Sequence, residues 1–123
     1  MWCDFGGGQG VVKGAVSADG LHWSSLGTIG SVPGRNAFFP EASVAPNGTV
    51  SLTFDALTRP PAGNPWQTGV QVYDSYYAEA PAGGKSFTAP MRVSTASSNP
   101  DGSSYNNLQE QFIGGTPGII GRR

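Results

Sequence analysis

The sequence predicts an all-β fold of short antiparallel strands joined by tight turns, and three observations carry that prediction. The chain holds 19 Gly and 10 Pro among 123 residues, with only 12% charged residues, which disfavours a helical bundle and suits many short strands. Residues 49–55 alternate strictly, with Val50, Leu52 and Phe54 on one face and Thr49, Ser51, Thr53 and Asp55 on the other. The pairs Asp19-Gly20 and Asn47-Gly48 stand between such runs, where glycine's tolerance of positive φ makes tight hairpin turns.

Taken in order, residues 1–10 hold an apolar start and the run Gly6-Gly7-Gly8-Gln9-Gly10. A phosphate-cradling loop would need a helix after it. The β-branched run at 11–16 follows instead, so a wide turn between strands is expected. Residues 17–23, Ser-Ala-Asp-Gly-Leu-His-Trp, then form a polar turn ending in an aromatic, before a second strand at 24–29. Ser17 and Asp19 can satisfy turn amides, and Trp23 can pack back under the turn. Residues 30–37 read as a connection and 38–45 as an extended segment. Asn47-Gly48 is the pair favoured in type I′ hairpins. It also begins the sequon Asn47-Gly48-Thr49, which the turn alone accounts for. The strand at 49–55 comes next, and a long Pro-rich loop at 58–68 follows it. Loops of this kind on a β scaffold often carry function. A further strand spans 69–79, and a short one 91–94. Residues 95–110 are polar, and 111–115 open a last strand-like piece.

The element order repeats. Residues 38–94 read as one complete four-stranded unit, 2–29 as the back half of a preceding unit, and 111–120 as the first strand of a next one. The pattern S-x-D-G-x-x-W at Ser17, Asp19, Gly20 and Trp23 resembles the Asp-box hairpin of sialidase-like (BNR repeat) β-propellers. Residues 80–87, Ala-Pro-Ala-Gly-Gly-Lys-Ser-Phe, resemble a second, decayed box in which Ala replaces both Ser and Asp. Trp23 and Phe87 lie further apart than the roughly 40–50 residues of common propeller repeats, and the 58–68 loop supplies the excess. Residues 39–50 and 91–94 are similar to bacterial members of that family. Residues 112–118 are similar to the family's F-x-G-D-Y-x-G, with Gly115 and Thr116 in place of Asp and Tyr. The resemblance implies antiparallel four-stranded blades, about two of the 4–8 that a closed ring requires, as a single partial propeller region over residues 1–123. The remaining blades would come from a longer chain or from self-association.

The resemblance also implies a chemistry. Sialidases use a Tyr nucleophile paired with Glu, an Asp acid/base and three arginines for the substrate carboxylate. The family's first arginine falls in an x-R-x-P segment, and here Ala37-Phe38-Phe39-Pro40 places Phe38 in its position. Arg35, Arg59 and Arg92 are the interior arginines, and no motif places them together. Candidate catalytic groups are Asp55, at the end of its strand beside the long loop, and Tyr105 with Glu110 on the polar loop. Candidate ligand contacts are Arg59, Trp66, which could stack on a sugar, and Glu41. The box residues Ser17, Asp19, Gly20 and Trp23 are structural.

His22 is the lone histidine and is expected to face solvent. Asn99, Asp101 and Ser103 fall short of the six oxygens that calcium takes, so an Asx turn explains them better. No metal or cofactor is expected. The single cysteine, Cys3, excludes an internal disulfide. A net charge of −1 with no basic stripe gives no reason to expect nucleic acid or a membrane as partner. No signal peptide is visible, while the resemblance implies a secreted or cell-surface protein. Two functions stay open. One is a fragment of a sialidase-like glycoside hydrolase without a complete active site. The other is a non-catalytic propeller module that binds glycan or protein.

Overall fold

The computed structural model describes residues 1–58 and 72–98. Seven strands occur there and no helix: β1 (Trp2–Asp4), β2 (Val11–Ser17), β3 (Trp23–Gly30), β4 (Arg35–Val44), β5 (Val50–Thr58), β6 (Tyr73–Ala80) and β7 (Met91–Arg92). They form two antiparallel meanders, β1-β2-β3 and β4-β5-β6-β7, and neither closes on itself. The all-β expectation therefore holds, with a three-stranded and a four-stranded sheet.

Small residues let the sheets approach. Val12 and Ile29 of the first sheet bury against Ala37, Leu52, Phe54, Ala56, Tyr76 and Ala78 of the second, with Leu26, Val32 and Phe87 packed around them. Phe54 and Tyr76 stack with centroids 5.8 Å apart. Gly30 sits where a Cβ would lie 2.8 Å from Phe54 Cε1, so only glycine fits without repacking. The junction is also stitched by polar contacts. Ala37 N donates to Gly10 O at 2.9 Å. Gly10 N donates to Asn36 Oδ1 at 2.8 Å, and Gln9 Nε2 to Val32 O at 2.7 Å.

The turns show how local sequence fixes register. Ser17 Oγ accepts from Gly20 N at 2.8 Å, and Asp19 Oδ1 accepts from Leu21 N and His22 N at 2.8 Å each. His22 Nδ1 donates to Asp19 Oδ2 at 2.6 Å. Led by the His22 backbone N–H, these bonds hold the Asp19 carboxyl well below its usual range. His22 faces solvent as expected. Trp23 does not pack under the turn: it is 64% exposed. Side chains of Ser17 and Asp19 already satisfy the turn, and β3 turns inward only from Leu26.

The hairpin after β4 departs from type I′. Gly48 N donates to Ala45 O at 2.8 Å and Ala45 N to Thr49 O at 2.9 Å. Gly48 has φ 85°, whereas Asn47 does not enter the positive region. Pro46, with φ fixed near −65°, suits the first central position of a type I turn, and Gly48 then forms the bulge residue. After β6, Gly83 and Gly84 adopt φ of 102° and 62°, and Gly84 N bonds Pro81 O at 2.9 Å. Left-handed glycines alone make this turn, with no carboxylate clamp.

Several expected boundaries move, among them the start of β6, which is Tyr73 with Val72 outside the strand. β4 begins at Arg35, inside the stretch read as a connection, because Val32 to Arg35 complete a turn (Arg35 N to Val32 O, 3.1 Å) and Asn36 already pairs with Leu57. Asp55 does not end its strand: β5 runs on to Thr58, and Asp55 sits between Phe38 and Ser75. β7 is cut to Met91–Arg92, because Val93 and Ser94 both turn their N–H groups onto Ser75 O. The expected strand at 111–120, most of the 58–68 loop and residues 69–71 lie outside the described residues.

β4 also carries a bulge. Phe38 pairs with Asp55 and Glu41 with Thr53, so β4 holds one more residue than β5 between these rungs. Phe39 takes φ 50° there, the one described non-glycine with positive φ. For an L-residue this costs about 1–2 kcal/mol.

Candidate functional site

Asp74 is the polar centre of the described chain. In β6 it falls in phase with Tyr76, Ala78 and Ala80, the buried side of the strand. It is 2% exposed, the one buried charged residue among those described. A lone carboxylate there would be expensive, and the fold surrounds it with donors. Arg35 Nη1, at the start of β4, donates to Oδ2 at 2.8 Å. Arg92 Nη2, on β7, donates to Oδ1 at 2.7 Å. Ser94 Oγ and Ser97 Oγ donate to the same Oδ1 at 3.1 and 2.9 Å.

The backbone explains why these groups meet. Arg92 pairs with Tyr76, one rung along from Asp74 on the same face. Residues 93–98 then fold back over the start of β6. Val93 N bonds Ser75 O at 2.9 Å, and Tyr73 and Ser98 exchange two backbone bonds of 2.9 Å. Arg35 reaches Asp74 across β5, from the opposite edge of the sheet. Burial alone would push the Asp74 carboxyl up. Hydrogen bonds from Arg92, Ser97 and Ser94, with the Arg92 charge, outweigh it and hold the group down at about 2. Asp74 is therefore ionised at neutral pH and has no proton to give as a general acid.

The opposite face carries a second set of groups. Ser75 Oγ donates to Asp55 Oδ1 at 2.6 Å. Tyr77 OH donates to Glu79 Oε2 at 2.7 Å and lies 3.2 Å from Ser51 Oγ. Strand alternation sets Tyr77 and Asp55 on the side away from Asp74 and its arginines. Glu41 is exposed on β4 beyond the bulge, opposite Thr53.

Of the candidates read from sequence, Asp55 and Glu41 thus lie on one face of the four-stranded sheet. Arg59, Trp66, Tyr105 and Glu110 lie outside the described residues, as do Asn99, Asp101 and Ser103. Among the described residues no three His, Cys, Asp or Glu side chains gather as a metal site. Sequence reasoning left Arg35 and Arg92 unassigned and passed over Asp74. The signal was an Asp in the apolar phase of an alternating strand, a position that demands buried cationic partners.

Over the described residues the fold is all-β, two antiparallel meanders whose four-stranded sheet is tied across its width by an Arg-Asp-Arg bridge. No family model, curated protein or solved structure matches the chain.

Proposed function

We propose that the chain supplies two neighbouring blades of a sialidase-like β-propeller and acts as a non-catalytic glycan-binding module. Each sheet is a meander, and the polar turn between β2 and β3 corresponds to the glycine turn after β6, as successive blades would have it. Other blades, from a longer chain or from further copies, would complete the ring. The resemblance places such a module outside the cell or on its surface.

One observation carries the non-catalytic reading. The two interior arginines among the described residues both direct a guanidinium N–H at an internal carboxylate, Asp74. An arginine set that bound a substrate carboxylate would need those donors. Incubation with a fluorogenic sialoside should release no fluorophore, while a glycan array should register saturable binding. An array with no binding at any glycan would remove the proposal.

The hydrolase reading has one observation in its favour, the Tyr77–Glu79 hydrogen bond, because a phenol paired with Glu is the nucleophile that the resemblance implies. Turnover of the sialoside that is lost in Tyr77→Phe would establish that reading instead.

A further inference from the structure

We infer that Phe38, Phe39, Tyr73 and Asp55 form a stacking site for a neutral pyranose; this rests on the glycan-binding reading and names its ligand class and location. Phe39 is held at φ 50° by the bulge, and the residue is 76% exposed. A large aromatic in the left-handed region, turned toward water, is unfavourable twice over. Such strain persists only where the surrounding structure imposes it, and it clusters at binding sites. Here the rungs Phe38–Asp55 and Glu41–Thr53 clamp the bulge on both sides.

The strain presents an aromatic ledge. Phe39 meets Phe38 edge-on at 4.9 Å, and Phe38 meets Tyr73 edge-on at 5.9 Å. These contacts fix the Phe38 ring from two sides while Phe39 stays open. The C–H face of a pyranose carries slight positive charge and lies well on the negative face of such a ring. Asp55 supplies the polar group that a sugar site needs. It sits directly across from Phe38, with Oδ1 accepting from Ser75 Oγ and Oδ2 without a partner among the described residues. A carboxylate oxygen accepts from sugar hydroxyls, and the Ser75 bond fixes its direction. Glu41 projects from the same face one rung beyond the bulge. Two carboxylates on one face repel an acidic sugar, so the ligand is a neutral one. This separates the ledge from the arginine-dependent site that a sialoside would require.

The test is a titration of the isotope-labelled full chain, followed by its backbone amide resonances. The probes are methyl β-D-galactopyranoside, methyl β-D-glucopyranoside and the methyl glycoside of N-acetylneuraminic acid. A neutral glycoside should give saturable shifts at Phe38, Phe39, Asp55 and Tyr73, with the acidic sugar at least tenfold weaker. Phe39→Asn should weaken binding at least tenfold without lowering the melting temperature, because Asn tolerates the left-handed region. Asp55→Asn supplies an independent second variant and should weaken binding as well. Saturable shifts elsewhere, or preference for the acidic sugar, would overturn this site and leave the glycan-binding reading standing. Absence of saturable shifts with any sugar would overturn both. Sugar-independent shifts at these four residues that grow with protein concentration would show a surface for a second copy instead.

Discussion

Replacing Asp74 by Asn should destabilise the protein far more than its single lost charge would suggest. The change keeps the side-chain volume, so no cavity forms. What changes is the pairing. The carboxylate accepts four hydrogen bonds from Arg35, Arg92, Ser94 and Ser97, all between 2.7 and 3.1 Å. An amide turns its NH2 toward one of the two guanidinium groups, donor against donor, and leaves both cations without a counter-charge. Breaking a buried pair this way costs about 3–5 kcal/mol. The arginines are 28% and 43% exposed, so water recovers part of the loss and the low end, about 3 kcal/mol, applies. For a chain of this size that is a fall of roughly 10–15 °C in melting temperature. Thermal unfolding followed by circular dichroism at pH 7 measures it. The pH dependence provides the sign. The folded carboxyl lies at about 2, below the ordinary aspartate value of about 3.9, so its stabilisation is complete above about pH 4. It is lost as pH falls from about 4 to about 2, and Asp74→Asn should flatten that part of the acid limb. A loss below about 1 kcal/mol, with the acid limb unchanged, would refute the reasoning, because surface ion pairs behave that way.

Gly30→Ala places a methyl 2.8 Å from Phe54 Cε1 and 3.2 Å from Leu52 Cδ2, and the overpacking should cost about 1–3 kcal/mol in denaturant unfolding. Leu52→Ala empties a fully buried position and should cost about 2–5 kcal/mol in the same assay. Asp19→Ala removes the acceptor of the Leu21 and His22 amides, so hydrogen exchange at these two should accelerate while β5 and β6 keep their protection.

Much of the fold was legible because strand and turn signals are local. The alternation of residues 49–55 and the Asp19-Gly20 turn each name their structure without help from distant residues. The hairpin type at Asn47-Gly48 was misread because the dipeptide outweighed Pro46, whose fixed φ selects a different turn. The start of β4 was hidden because Pro33-Gly34 marks a tight turn and the reading spread it over its neighbours. Trp23 was placed under its turn on the pattern alone, yet whether an aromatic is covered depends on the opposing surface. The candidate site was less legible for the same reason. Asp74 is 39 residues from Arg35 and 18 from Arg92, and only sheet pairing brings them together. Its place in the apolar phase of β6 was the one local clue. The bulge at Phe39 left no such clue, because the strain is imposed by the rungs on either side and not by the residue itself.

Asp74 occupies the paired arginines from within. A carbon-detected NMR titration of the Asp74 carboxyl measures this directly. The expected result is a carboxyl that titrates at about 2 and remains ionised throughout the neutral range. A midpoint near the ordinary aspartate value of about 4 would contradict it, since Arg35 and Arg92 would then be free to hold another carboxylate.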